Sequence, residues 1–144
     1  MKVGDVTTQH NEELLTCGPD HNLEEVSSLL AKHNIGVLPV CEAEGELLGI
    51  LSERDVIRAV AQHGPAALAL SVEDVMTRDV VTCLPQDSLM DAMKLMSEHN
   101  IRHLPIVEDG ILKKVISHRD LMKVAIKQFG LTMRFVDDYA KSNV

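Results

Sequence analysis

The chain has 144 residues and a formal net charge of −8, and 45% of its residues are hydrophobic although only 2% are aromatic. This size fits one ordinary domain or two half-sized units with an aliphatic core. The acidic balance disfavours nonspecific binding to nucleic acid. Three cysteines without a C-x-x-C motif argue against a secreted disulfide scaffold, and no apolar run has transmembrane length. We therefore expect a cytoplasmic protein without a nucleic-acid or membrane partner.

An internal repeat is the main feature of the sequence. Three segments of the first half recur in the second half, in the same order and at nearly the same spacing. The pairs are 15–26 with 81–92, 33–42 with 99–108, and 49–58 with 114–123. A short prelude also recurs, as GDVTT at 4–8 and EDVMT at 73–77. Similarity at a fixed spacing indicates two copies of one supersecondary unit.

Both copies predict the same elements, in the order β-α-β-β-α. A Thr-Cys-x-Pro segment comes first and is extended, because a residue before proline avoids the helical region. A helix follows, with Asn22 or Ser88 as its N-cap. Two β-rich runs then form a hairpin, and a second helix begins near Arg54 or Arg119. The predicted hairpin strands are 35–41 with 46–52, and 101–107 with 111–117. The apolar segment 62–72 is predicted to pack rather than to act as a free linker.

This arrangement resembles a pair of CBS (cystathionine-β-synthase) domains, also called a Bateman module. The features that carry the resemblance are the doubled Leu-Pro of the hairpins and the doubled S-x-R-D at helix starts, spaced about 65 residues apart. The resemblance covers residues from about 2 to 129. It implies an α/β (α+β) fold in which tandem β-α-β-β-α motifs pack as one pseudo-two-fold globule. Motif 1 is expected at 2–64, motif 2 at 71–129, and a helical tail at 130–144.

The S-x-R-D elements at 52–55 and 117–120 are open to two interpretations. The simpler is a capping box, in which Ser and Asp satisfy backbone N–H groups at the start of a helix. The same S-x-x-D spacing recurs at 71–74 and 88–91, where we interpret it as a cap only. In the functional alternative, the carboxylate accepts hydrogen bonds from both hydroxyls of a ribose, and the helix N-terminus attracts phosphate.

The family resemblance implies the functional alternative. It assigns the ribose of an adenine nucleotide to Asp55 and Asp120, and the phosphate end to Ser52 and Ser117. Basic side chains spaced i, i+4 lie on the same helical faces and are further phosphate candidates, unless they only form a solvated surface. These residues are Arg54, Arg58, Arg119 and Lys123, with His118 as a weaker candidate.

Adenine requires a flat apolar slot with backbone donors and acceptors. The Leu-Pro dipeptides could provide it, because proline cannot donate to a strand ladder and so predicts an edge that a ligand can approach. The resemblance places the base between this edge and the preceding extended segment. The candidates are Val37, Pro39, His103, Leu104 and Pro105 on the hairpins, and Thr16 and Thr82 on the extended segments. For Leu104 a core position is the alternative.

One position distinguishes the two copies in a way that concerns the site. Gly49 precedes the last strand of the first copy, and Lys114 stands at the matching position of the second. A glycine lets backbone or ligand come close. The lysine would either crowd the second site or add charge near the phosphates. One or two occupied sites per chain are therefore both open, and the first-copy site is preferred if there is only one.

These observations predict a regulatory module that binds AMP, ADP or ATP without catalysis. No arrangement of nucleophile, base and orienting group is apparent, and His99-x3-His103 crosses a helix–strand boundary, so neither a catalytic cofactor nor a metal is expected. The alternative is a CBS-type scaffold that has lost its ligand. We also expect a homodimer that regulates an unknown partner protein. The aromatic-bearing tail would supply the dimer contact, through Met133, Phe135, Val136 and Tyr139.

Overall fold

The computed structural model describes residues 1–6, 14–129 and 141, which form a mixed helix-and-strand structure with two small antiparallel sheets. Helix, hairpin and helix follow one another in both copies, as predicted. The first copy contains α1 Leu23–His33, β1 Val37–Cys41, β2 Leu47–Ser52 and α2 Glu53–His63. After a short α3 (Val72–Val75), the second contains α4 Leu89–His99, β3 His103–Glu108, β4 Ile111–Ser117 and α5 His118–Phe129. Short 3-10 helices occur at Val3–Asp5 and Gly64–Ala69.

The first helix of each copy begins and ends by the same local chemistry. The side chains of Asn22 and Ser88 accept hydrogen bonds from the backbone N–H three residues on, at 2.9 and 3.1 Å. Both predicted N-caps are therefore confirmed. At the other end Asn34 and Asn100 adopt the left-handed conformation, with φ of 51° and 53°. A residue in this conformation ends a helix, and asparagine tolerates it better than most residues do.

The extended segment that precedes each helix differs from the strand that was predicted. Only one residue of each segment pairs with the hairpin, in parallel bridges between Cys17 and Val40 and between Cys83 and Ile106. A proline follows two residues later in both copies, at Pro19 and at the matching position of the second copy. Proline has no N–H to donate, so the ladder stops after a single bridge.

The chain divides into two compact units whose segments alternate along the sequence. One unit comprises 14–80 with 107–112, and the other comprises the described residues 1–6 with 81–106 and 113–129. The prelude of each copy thus belongs to the unit that holds the other copy's hairpin. Thr77 exchanges two backbone hydrogen bonds of 2.9 Å with Ile50 of β2. In the other unit, Gly4 donates its N–H to the Pro85 carbonyl, also at 2.9 Å.

Each unit has its own aliphatic core. In the unit that contains β1 and β2, Leu23, Leu38 and Leu51 are completely buried, and so is Ala67. The segment 62–72 therefore packs against this core, as the sequence predicts. The core of the other unit likewise consists of aliphatic side chains and one cysteine. Its fully buried members include Val3, Leu104, Ile106, Ile116 and Leu121.

Candidate functional site

The S-x-R-D element of the first copy forms a complete capping box at the start of α2. Asp55 Oδ2 accepts hydrogen bonds from the backbone N–H of Ser52 at 2.8 Å and from its hydroxyl at 3.0 Å. In return the Ser52 hydroxyl accepts from the Asp55 N–H at 3.2 Å. The second carboxylate oxygen, Oδ1, lies 3.8 Å from Nη1 of Arg58, whose side chain is largely exposed. In this copy, both carboxylate oxygens therefore have a partner, although the contact with Arg58 is long and weak.

The second copy repeats the capping box, but one carboxylate oxygen has no hydrogen-bond partner among the described residues. Asp120 Oδ2 accepts from the Ser117 N–H and from the Ser117 hydroxyl, both at 2.8 Å. The Asp120 N–H donates to that hydroxyl at 3.1 Å. Only 4% of Asp120 is exposed, and its Oδ1 is buried without a hydrogen-bond partner in the part of the chain that the structure describes.

A buried carboxylate oxygen without a donor costs free energy, because it has given up its water and gained nothing in exchange. Such an atom in a folded protein calls for an explanation, and a donor supplied by a bound molecule is one. Asp120 is held rigidly by Ser117 through its other oxygen. The free oxygen is therefore a fixed acceptor at the first turn of a twelve-residue helix, where backbone N–H groups also favour anions.

The remaining S-x-x-D elements lack this geometry. Ser88 caps α4 through the N–H of Asp91, as predicted. The prediction that Ser71 caps the next element is wrong, because its side chain accepts no backbone hydrogen bond and its hydroxyl instead donates to Asp74 at 3.1 Å. The hydrogen bonds of these two elements lie at exposed positions. Asp55 and Asp120, by contrast, are the buried charged residues among those described.

The predicted phosphate contacts are placed on the same helices but differ in availability. The hydroxyls of Ser52 and Ser117 donate to their own aspartates, so a phosphate would have to compete with the cap. The four basic candidates of α2 and α5 are all exposed near the first turns. They are Arg54, Arg58, Arg119 and Lys123. His118 is half-buried, and its pKa is lowered by burial and by the nearby positive charge of Arg102.

The sequence gives no direct sign of Arg102, which is a functional candidate only because the structure places it beside His118. The signal that could have found it is the repeat alignment. Arg102 matches Gly36 of the first copy, so the two sites differ in charge at this position.

The adenine candidates lie where the hairpins meet the extended segments. Val37 and His103 are half-buried, whereas Thr16 and Thr82 are exposed. Leu104 is completely buried in the core, which favours the core role that the sequence left open.

Each proline lies on the hairpin edge that faces the preceding extended segment. The Pro39 carbonyl accepts from the Cys17 N–H at 2.9 Å, and the Pro105 carbonyl accepts from the Cys83 N–H at 3.0 Å. The extended segment therefore pairs with this edge of the hairpin at one position in each copy. Proline breaks the ladder only locally, by the one donor that it lacks.

Gly49 and Lys114 have roles that the sequence did not indicate. The space beside Gly49 is filled by the protein itself, because a Cβ on Gly49 would lie 2.6 Å from the Met76 sulphur and 2.8 Å from the Thr77 carbonyl oxygen. The Lys114 ammonium donates to the carbonyls of Gly4 and Val6, both at 3.0 Å. Lys114 thus holds the start of the 4–8 prelude in place, and its ammonium group is already hydrogen-bonded to the backbone of that segment.

The three cysteines are buried and form no disulfide. Burial raises the pKa of Cys17 to about 12, with a smaller contribution from Cys41, and it raises the pKa of Cys83 to about 11, with a smaller contribution from Asp87. Burial also raises the pKa of Cys41. A thiol with a raised pKa is a poor nucleophile and a poor metal ligand near neutral pH. No group of three or more potential metal ligands occurs among the described residues.

Within the described part of the chain, no helix has the length and apolar character that crossing a bilayer requires.

Comparisons with known proteins agree with the repeat and with the fold. The CBS-domain family model matches twice, at residues 3–62 and 72–127. The CBS domain-containing protein YhcV of Bacillus subtilis is 37% identical over 110 residues, which are 76% of each chain. The chain spans only 57% and 35% of two other curated relatives, which are longer proteins.

Solved structures of the same fold are also similar. The CBS-domain containing protein ATU1752 of Agrobacterium tumefaciens superimposes with a TM-score of 0.79 at 36% identity, over 88% of this chain and 100% of that one. The CBS domain pair of protein MJ0100, solved in complex with 5′-methylthioadenosine and S-adenosyl-L-methionine, gives a TM-score of 0.77 at 26% identity, over 89% and 98%. With the family model covering both copies, the chain belongs to the CBS-domain family.

Proposed function

We propose that this chain is a regulatory module that binds an adenosine-containing ligand and carries out no catalysis. The observation that carries the proposal is the buried, unpartnered Oδ1 of Asp120, which is held at the start of α5 by two hydrogen bonds to its other oxygen. A ribose offers two adjacent hydroxyl donors, and a carboxylate is the side chain best suited to accept them.

The MJ0100 domain pair supports the ligand class, because that protein was solved with two adenosine derivatives. Within this class we propose AMP, ADP or ATP. The nucleotide would lie at the S-x-R-D elements, with Asp55 and Asp120 on the ribose and the basic residues of α2 and α5 on the phosphates. The other site residues named from the sequence keep their proposed roles, apart from the core position of Leu104.

The further features of the proposal concern organisation. We propose two CBS motifs, at 2–64 and 71–129, in a cytoplasmic protein that signals to an unknown partner protein. The proposed homodimer contact uses the tail 130–144, whose candidate residues lie outside the described part of the chain. Light scattering of the full chain and of a chain ending at 129 tests this assignment: the same number of subunits for both would refute it.

A thermal-shift panel with AMP, ADP, ATP, S-adenosyl-L-methionine and 5′-methylthioadenosine tests the function. A ligand present at about 100 times its Kd stabilises the fold by roughly 2.7 kcal/mol. For a chain of this size the melting temperature would rise by about 10 °C. If none of the five compounds at millimolar concentration shifts the transition, the chain is the ligand-free scaffold instead. A new product formed from ATP would contradict the non-catalytic part.

A further inference from the structure

Helix α2 carries an exposed apolar surface on one of its faces. Ile57 and Val60 are 67% and 45% exposed, and Ala61 beside them is exposed as well. Residues spaced i, i+3 and i+4 are neighbours on one face of a helix, so these three side chains form a continuous surface, here called the α2 stripe. Of the large hydrophobic side chains that are exposed in the described part of the chain, only Ile57 and Val60 lie on the same helix.

The matching face of α5 is buried. When the repeat pair 49–58 and 114–123 is extended along the helices, Val60 corresponds to Ala125 and Ala61 corresponds to Ile126. Ala125 and Ile126 are only 8% and 7% exposed. This helical face is therefore a packing surface in the second copy and an open one in the first. A contiguous apolar surface that stays open indicates an interaction site more strongly than scattered apolar residues do.

The α2 stripe is separate from the proposed nucleotide site. Asp55 precedes Ile57 by two residues, which is a rotation of about 200° around the helix axis. The Asp55 side chain is accordingly buried while that of Ile57 is exposed. The nucleotide at Asp55 therefore leaves the stripe uncovered, and the stripe needs another occupant.

The tail at 130–144 has the composition of such an occupant. Phe135 and Tyr139 have the i, i+4 spacing that places two side chains on one face of a helix, and Val136 adjoins them. Aromatic residues are enriched in the cores of protein interfaces and often dominate the binding energy. The proposed dimer contact already assigns this tail to a second copy, where the tail needs a receiving surface.

The tail is also long enough for this surface. It follows directly on the last residue of α5, and its fifteen residues would form a helix about 22 Å long. The eleven residues of α2 span only about 16 Å. A helical tail can therefore cover the whole stripe.

We propose that the tail of one subunit docks on the α2 stripe of the other subunit. The inference rests on the homodimer of the proposed function and names the surface that receives its tail. Phe135, Val136 and Tyr139 pack against Ile57 and Val60. Because a two-fold dimer repeats every contact, the interface contains this pairing twice.

A double-mutant cycle tests the surface. Ile57→Ala and Phe135→Ala should each raise the dissociation constant of the dimer about tenfold, as measured by light scattering over a concentration series. The double variant should lose less than the two single losses combined, because both substitutions remove the same contact. Met90→Ala is the matched control, since Met90 is 68% exposed on α4. It should leave the dissociation constant within about twofold, and a loss equal to that of Ile57→Ala would overturn the proposal.

Disulfide crosslinking identifies what covers the stripe. Ala61→Cys places a thiol on the stripe, and Ala140→Cys places one beside the apolar residues of the tail, without removing a proposed contact. The native cysteines are buried, so the introduced thiols react first. Co-expressed chains with one substitution each, one of them carrying a size tag, should form a mixed disulfide-linked dimer under mild oxidation. Ser28→Cys, exposed on α1, replaces Ala61→Cys in the control and should form none.

Every other occupant gives a different product. A disulfide between two Ala61→Cys chains would show that the stripe meets a second α2. A disulfide within one chain that carries both substitutions would show that the stripe binds its own tail. Either product would overturn the proposal, and so would a dimer that forms no mixed disulfide or one that forms it equally well through Ser28→Cys. If the full chain is a monomer, the proposed homodimer fails and the docking fails with it, whereas adenosine binding is tested independently by the thermal-shift panel.

Discussion

Asp120→Asn is the substitution that best separates the cap from the ligand site. An asparagine can still accept the two hydrogen bonds from Ser117 through its amide oxygen. Its NH₂ group then occupies the place of the unpartnered Oδ1. That group donates and does not accept, so it can no longer accept a hydrogen bond from a ribose hydroxyl, and the negative charge that would strengthen the contact is gone. The fold keeps its cap, and the proposed ligand contact is lost.

The magnitudes follow from these contacts. Charge-assisted hydrogen bonds contribute about 1.5–3 kcal/mol, so affinity should fall roughly ten- to hundredfold. Stability without ligand should change by less than about 1 kcal/mol, because the cap remains and a buried unpaired charge is removed. At a ligand concentration of about 100 times the wild-type Kd, a hundredfold loss reduces the stabilisation from roughly 2.7 to about 0.4 kcal/mol. The melting shift would decrease from about 10 °C to about 1–2 °C.

The assay is a thermal melt with and without the nucleotide, in the Asp55→Asn background so that only the second-copy site is read. Asp91→Asn is the matched control. Asp91 also accepts a hydrogen bond from a serine hydroxyl at the start of a helix, but its position is exposed. It should leave the ligand-induced shift intact. If Asp120→Asn retains the full shift, the free oxygen binds no ribose. The assignment of the site would then be wrong.

Three further predictions concern the frame around the site. Lys114→Met should lower the free energy of unfolding by about 1–3 kcal/mol in urea titrations, because two carbonyls of the prelude lose their charged donor; an equal loss at the preceding, exposed lysine would contradict this. In the same titrations Gly49→Ala should lower the free energy of unfolding by about 1–3 kcal/mol, since the new Cβ would lie 2.6 Å from the Met76 sulphur. An unchanged free energy of unfolding would refute the close contact. The pKa values of Cys17 and Cys83 are raised to about 12 and 11, so the folded state keeps these thiol protons to a higher pH than the unfolded state does. The free energy of unfolding should therefore be unaffected below pH 9 and fall above it. Rapid labelling of the native thiols at pH 8 would contradict their burial.

The repeat made the elements predictable, because the local signals agree with the tertiary structure. Asn22 and Ser88 precede apolar residues at helical spacing, and both helices begin there. The hairpin strands follow from runs of β-branched residues between turn residues. Since both copies carry the same signals, each prediction was made twice on independent residues. The length of the first strand was overestimated, because it depends on pairing with a strand distant in the sequence, and because the proline two residues after the bridging cysteine has no N–H to continue the ladder.

The residue types of the site were predictable, but the hydrogen-bond partners of these residues were not. The doubled S-x-R-D identified Asp55 and Asp120, yet no pattern shows that, within the described residues, Asp120 alone of the two has an oxygen without a partner. Because the repeat alignment places Lys114 opposite Gly49, the sequence left open whether it crowds a ligand or adds charge near the phosphates. Its partners lie more than 100 residues earlier in the chain, at Gly4 and Val6. A contact of that range has no signature in the neighbouring sequence.

A crystal structure of the chain with a saturating adenine nucleotide would test directly whether Asp120 binds the ribose. We expect density for the nucleotide at the start of α5, with a ribose hydroxyl about 2.6–3.0 Å from Asp120 Oδ1. The Ser117 bonds to Oδ2 should remain as they are. If Oδ1 instead binds an ordered water while the nucleotide is absent or bound elsewhere, Asp120 is a helix cap and not a ligand-binding residue.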